Sequence, residues 1–217
     1  MSMNYRYYFC TLLIFYSGLS FWMIWINESN TLWLGSWNSD KLFIFFILIP
    51  LIIGYSIIDR SIEISTPLRF DTRKRYHSYQ LLNYWSLTLI VISIFFSMFL
   101  ISSFWLQYAF SSVTLFKMLN MIARFFIGGL LASNFSLLFQ RTNFSILSKN
   151  GSLCTFICMF TELFLFVTLA KNTGFPFDKI IFAWIFDESI FGIFILLLLT
   201  LFSYFILFRL IKKKDFI

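Results

Sequence analysis

Charge is scarce in this chain, so the few ionisable side chains buried in apolar sequence are the first places to look for chemistry. Two of them, Arg124 and Glu162, fall inside apolar runs. At the centre of a membrane helix an unpaired ion costs about 2.5 to 3.5 kcal/mol on insertion scales, so each needs a partner or water. An Arg124 to Glu162 contact within one helical hairpin meets that need. So does an Arg124 that snorkels to the headgroups while Glu162 is protonated or faces a polar crevice. A second group is basic and aromatic: residues 59–85, DRSIEISTPLRFDTRKRYHSYQLLNYW, carry Arg69, Arg73, Lys74, Arg75, Tyr76 and His77. If a helix starts at Leu68, then Leu68, Thr72, Tyr76 and Tyr79 line one face, with Arg69, Arg73 and His77 as a basic strip beside them. That pattern suits docking in a protein cleft, and equally lying on anionic headgroups.

Most enzyme chemistry has no candidate residues. No G-x-x-x-x-G-K-[ST] loop is present to cradle ATP phosphates, and no H-E-x-x-H or G-x-S-x-G occurs. The single histidine, His77, and the three cysteines, Cys10, Cys154 and Cys158, cannot supply the four ligands of a structural zinc site. The cysteines read as small packing residues rather than a disulfide framework. A Ser and His77 pair would have to form from a cytosolic loop with no paired carboxylate, so a nucleophilic enzyme is not expected either. The expectation is a chain with no catalytic residues, no metal and no cofactor of its own.

The elements that position these residues are set by composition. Of 217 residues 59% are hydrophobic and 12% charged, more apolar surface than a soluble domain of this size can hide. The bilayer must be the solvent. Apolar runs of spanning length fall at about residues 8–26, 42–58, 84–105, 121–140, 153–170 and 190–210, which predicts an all-α polytopic membrane protein with six transmembrane helices in one domain. The first run lacks a small-residue cleavage site and reads as an uncleaved helix.

Six spans put both termini on one side. Arg6, Arg60, the basic cluster above, Arg141, Lys149, Arg209 and Lys212 to Lys214 share that side, against Lys41, Lys117, Lys171 and Lys179 opposite. The positive-inside rule therefore places both termini in the cytosol. Trp22, Trp25, Trp33, Trp37, Trp105 and Trp184 then mark the outer interface. The net charge of +7 needs no nucleic acid to explain it; topology and anionic membrane lipids suffice. The 32 Phe, with abundant Ile, Leu, Asn and Ser, suggest AT-rich coding and the cytoplasmic membrane of a low-GC bacterium.

Three further features bear on packing. Pro50 with Gly54 is expected to loosen the second helix. Gly128, Gly129, Ala132 and Ser133 form overlapping small-xxx-small pairs in the fourth, where ordinary packing within the chain is favoured over a dimer seam. The connection before the last span, KNTGFPFDKIIFAWIFDES, is too apolar for a solvated loop and reads as an interfacial or re-entrant outer helix, with Phe177, Ile180, Ile181, Trp184 and Ile185 at helical spacing. Residues 107–120 have a similar mixed character.

Six spans, an inside N-terminus, the basic stretch PLRFDTRKRYHSYQ between spans two and three, and an apolar outer segment before the last span together resemble the membrane subunits of ABC-2-type transporters. The resemblance implies a short cytosolic coupling helix, including Arg69 to His77, that docks on a separate ATP-binding subunit holding ATP and Mg. It also implies a second permease subunit, in a homo- or heterodimer, and a peptide or other hydrophobic substrate of the bacteriocin export or immunity kind. The short lead MSMNYRYY leaves little room for the long amphipathic connecting helix common in that family. Two other readings stand beside it: a stand-alone immunity or sensor protein binding a peptide or lipid, and the substrate-capturing component of an energy-coupling transporter.

Overall fold

The computed structural model describes residues 3–26, 47–65, 73–105, 112–142, 150–165, 181–187 and 189–214. Among these the fold is helical and without strands: α1 (Met3–Ile26), α2 (Ile49–Ser65), α3 (Arg73–Trp105), α4 (Ser112–Gln140), α5 (Gly151–Leu165) and α6 (Ile190–Lys214), with a 3-10 turn at Ala183–Phe186. The stretches Arg75–Met98, Phe116–Gln140 and Ile190–Ile211 are long and apolar enough to cross a membrane; Tyr7–Gly18, Ile49–Asp59 and Gly151–Glu162 are shorter apolar helices. These lengths mark a membrane protein.

The helices assemble as two triplets. α1, α2 and α3 pack on one another, α4 packs on α5 and α6, and the triplets meet where α3 packs on α4 and α6 and where α2 packs on α5. Of the three spanning stretches that of α4 is the most buried and that of α6 the least. Phe191, Phe194, Phe202 and Phe205 of α6 point outward, where hydrocarbon is as apolar as the core. Because lipid competes equally for apolar side chains, association between the helices depends on close backbone approach and on hydrogen bonds.

Glycines supply that approach at two places. A methyl group on Gly128 would stand 2.7 Å from Cδ1 of Ile185, and one on Gly129 2.6 Å from Cγ2 of Thr88, so α4 is notched for the 3-10 turn on one side and for α3 on the other. Ala132 and Ser133 continue the buried seam. In α2, the Tyr8 hydroxyl of α1 donates to the Pro50 carbonyl at 2.5 Å, and a β-carbon on Gly54 would lie 2.8 Å from that hydroxyl. Ile47 and Leu48 form a π turn just ahead of Pro50, a widening that goes with the missing proline N–H.

The boundaries differ from those read in the sequence. No separate coupling helix precedes the third span among the described residues: Arg73 to His77 are the first turn of α3, which continues for 33 residues to Trp105. The cause is local, since RKRYHSYQLL contains no helix breaker and several good helix formers. Arg69, with the rest of residues 66–72, lies outside the described residues. α4 likewise begins at Ser112 rather than near residue 121, absorbing part of the 107–120 segment. Of the outer helix expected over Phe177 to Ile185, residues 177–180 lie outside the described residues, and what is described is a 3-10 turn. Its Phe182, Ala183 and Ile185 are buried in the bundle rather than laid on lipid. Cys10 and Cys158 are exposed on their helices, and only Cys154 is partly packed.

Filling the Gly54 notch tests this packing. Gly54→Val should lower stability by about 1 to 3 kcal/mol, because Leu87 Cδ2 and the hydrogen-bonded Tyr8 hydroxyl already occupy the space. The measurement is the unfolding midpoint in detergent, and an unchanged midpoint would contradict the packing.

Candidate functional site

Polar side chains enter this apolar bundle at three levels of α4. Arg124, Asn134 and Gln140 with Arg141 are separated by about 15 Å and about 9 Å of helix rise. Each level finds its partners on different neighbours.

The level at Gln140 joins three helices through Asp59. The Tyr84 hydroxyl of α3 donates between the two carboxylate oxygens of Asp59 at 2.7 and 2.6 Å, and Gln140 Nε2 donates to Asp59 Oδ2 at 2.7 Å. Gln80 Nε2 donates to Asp59 Oδ1 at 3.1 Å and to Gln140 Oε1 at 2.9 Å. Arg141 Nη2 closes the network on Gln80 Oε1 at 2.7 Å, and Gln140 Nε2 also reaches the Tyr84 hydroxyl at 2.9 Å. The directions are mutually consistent: both amides donate toward the carboxylate and accept on their far side. The Arg141 charge is therefore relayed to Asp59 through the Gln80 amide, an arrangement that polarises each bond in turn. Burial pulls the Arg141 pKa down, while Tyr76, Tyr84 and Asp59 act the other way.

Above this network the Tyr84 ring stacks on Tyr55, with centroids 4.1 Å apart and planes 7° from parallel. Thr88 Oγ1 donates to the Tyr84 carbonyl at 2.9 Å and so accepts from the Tyr55 hydroxyl at 2.7 Å. α2 and α3 are thus pinned twice, by a carboxylate at one level and by paired hydroxyls a turn deeper.

Asn134 forms the middle level. Its amide donates to the Thr200 carbonyl at 3.1 Å and Ser203 Oγ at 3.0 Å on α6, and its oxygen accepts from Trp85 Nε1 of α3 at 3.2 Å. One fully buried asparagine ties both other spanning helices to α4.

The third level holds Arg124 and Glu162, the two charges set in apolar helices. Glu162 Oε1 accepts the backbone N–H groups of Ile181, Phe182 and Ala183 at 2.7, 2.8 and 3.0 Å. Arg124 donates through Nε to Asn120 Oδ1 at 2.9 Å and through Nη1 to the Ile185 carbonyl at 3.0 Å. The link between the charges therefore runs through the backbone of the 3-10 turn, with the carboxylate at its N-terminal end and the guanidinium at its C-terminal end. That is the polarity in which peptide dipoles favour charge.

The basic residues at the head of α3 are divided by burial. Arg75 is exposed, Tyr76 half-buried and His77 buried, with the His77 and Tyr76 rings 5.2 Å apart edge to face. Gln80, three residues on, belongs to the Asp59 network. Sequence reasoning placed Asp59 and Trp85 only as the limits of a loop, and missed Tyr84, Gln80, Gln140 and Asn134. A usable signal was present, because Asp59 follows the second apolar run, Gln80 precedes the third and Gln140 closes the fourth, so alternating runs bring all three to one end of the bundle. Among the described residues, no group of His, Cys, Asp and Glu could hold a metal ion. The chain matches no protein-family model, no curated protein and no solved structure.

Asp59→Asn and Tyr84→Phe should each cost about 1 to 3 kcal/mol, the range for a buried hydrogen-bonding group left without its partner. The double variant should cost less than the sum, since both singles break one shared bond. Denaturant unfolding of the four proteins in detergent checks this, and strictly additive losses would show that the residues do not act as a unit.

Proposed function

We propose that the chain is the permease subunit of an ATP-driven transporter of the ABC-2 kind, moving a peptide or other hydrophobic substrate across the bacterial cytoplasmic membrane. In this reading six helices cross the bilayer, α1 to α6, with both termini cytosolic. ATP and Mg are bound by a separate subunit, and a second permease subunit completes the pore.

The observation that carries the reading is the continuity of α3. A helix of 33 residues is about 50 Å long, well beyond the roughly 30 Å of hydrocarbon, so its basic first turns stand clear of the apolar core. Arg73, Lys74, Arg75, Tyr76 and His77 then form the head of a rod. Within about three turns the same rod carries Gln80 and Tyr84, which grip α2 and α4 through Asp59. A partner that pushes or rotates the head must load this network directly. No hinge residue intervenes, as neither Gly nor Pro occurs between Arg73 and Trp105. This supports coupling by a rigid lever in place of a separate short helix.

Purification from native membranes tests the proposal. An ATP-binding protein should accompany the wild-type chain, and Arg73→Glu with Arg75→Glu should reduce its recovery at least about tenfold, as expected when close charge pairs are reversed at an interface. Equal recovery from wild type and variant, or no such partner at all, would reject it. Labels at the two termini should both be protected from a membrane-impermeant reagent in intact cells; accessibility of one alone would reject the six-span topology.

A further inference from the structure

α3 turns a mixed face to the surroundings of the bundle. Along it Tyr79, Leu82, Ser86, Leu89 and Ser93 are all exposed, at alternating steps of three and four residues, and Ser97 and Leu100 continue the line. Such steps keep residues on one side of a helix. From Leu82 to Leu100 the line is about 27 Å long, nearly the thickness of the hydrocarbon, and its serines lie within the spanning stretch Arg75–Met98. Hydroxyls therefore face outward at membrane depth.

α6 is built the other way round. Its Thr200 and Ser203 are buried where Asn134 bonds to them, and its outward Phe194, Leu198, Leu201, Phe202 and Phe205 are purely apolar. A hydroxyl on a lone helix can fold back on its own backbone, as Thr11 and Ser17 of α1 and Thr88 of α3 do. Among the described residues Ser86, Ser93 and Ser97 make no such bond. Hydrocarbon offers them no partner, so this face is complete only against another helix that can bond to it.

From this geometry we propose that the outward face of α3 is the seam of a homodimer, closed by the same face of a second copy of this chain. Two copies inserted in one orientation pair about a twofold axis along the membrane normal, so α3 runs parallel to its counterpart. Each layer then meets its own image: Ser86 on Ser86 and Ser93 on Ser93, with Leu82 and Leu89 between them. A hydroxyl both donates and accepts, so identical serines satisfy one another. Their small size also lets the backbones approach closely, which holds helices together where lipid competes for apolar surface. Steps averaging 3.5 residues keep two parallel helices in contact as they wrap. Arg75 opens the same face, but at the helix head, where salt and anionic headgroups screen the repulsion between copies. Reading the second copy as the second permease subunit rests on the function proposed above; the pairing itself does not.

The test uses the full chain without any ATPase. With Cys10, Cys154 and Cys158 changed to Ala, a single Ser86→Cys, Leu89→Cys or Ser93→Cys should give a disulfide-linked species of twice the chain mass on mild oxidation of membranes, because facing β-carbons in the seam come within the roughly 4 Å that a disulfide needs. Phe194→Cys and Phe202→Cys on α6 should give none. Equal linking on α6 and α3, or linking of α3 to a chain of another mass, would overturn the proposal. Energy transfer between labelled copies in large nanodiscs keeps the native cysteines, and so decides if the cysteine-free chain does not fold. There Ser86→Ile with Ser93→Ile should weaken association about tenfold or more while leaving the unfolding midpoint unchanged, since both side chains point away from the core. Association equal to wild type overturns the seam. Failure of these tests with an ATPase still copurifying sinks the seam alone; a seam without an ATPase sinks only the permease.

Discussion

A polar group inside a bundle surrounded by hydrocarbon can bond only to the chain itself, and this constraint organises the structure. α4 is the most buried of the spanning helices and also carries Arg124, Asn134, Ser133 and Gln140, so its neighbours are fixed by where those side chains find partners. Asp59 and Gln80 come to it at one level, Trp85 and Thr200 at the next, and the backbone of the 3-10 turn at the third. Apolar packing then fills the space between, with Phe96 against Phe125 and Tyr16 against Phe95. Those ring contacts give little direction by themselves, since lipid would serve the same side chains nearly as well.

The polar levels are built differently. Around Asp59 the network consists of side chains from three helices, and the loss of any one leaves others without partners. Around Glu162 and Arg124 the bonds to the 3-10 turn include three of its main-chain N–H groups and one carbonyl. The first arrangement ties α2, α3 and α4 together; the second holds the backbone of the 3-10 turn between α4 and α5. α4 spans the two, with about 24 Å between Arg124 and Gln140.

Helix content was legible in the residues, and so was the membrane environment. Spacing of apolar runs located the six α-helices among the described residues, because a segment without water must satisfy its backbone internally and the chain has few breakers. Ends were less legible: α3 extends into the polar residues 73–83 and α4 into the mixed residues 112–120, since a helix that already has its hydrogen bonds continues through Arg, Lys and Gln at little cost. The small residues at 128, 129, 132 and 133 were visible as a seam, but not that Ile185 fills one notch and Thr88 the other.

The sequence by itself determined that charges at Arg124 and Glu162 required partners, and that residues near Asp59 stood at the edge of an apolar run. It did not determine which partners. Helix adjacency decides that, and in a uniformly apolar chain the pattern of hydrophobic residues is nearly the same for many adjacencies. Only the folded bundle places Tyr84 and Gln140 on Asp59, and puts the turn's own backbone between Arg124 and Glu162. The physical reason is that hydrophobic periodicity reports which face of a helix is buried, whereas hydrogen bonds depend on distances of about 3 Å that exist only once the helices have packed.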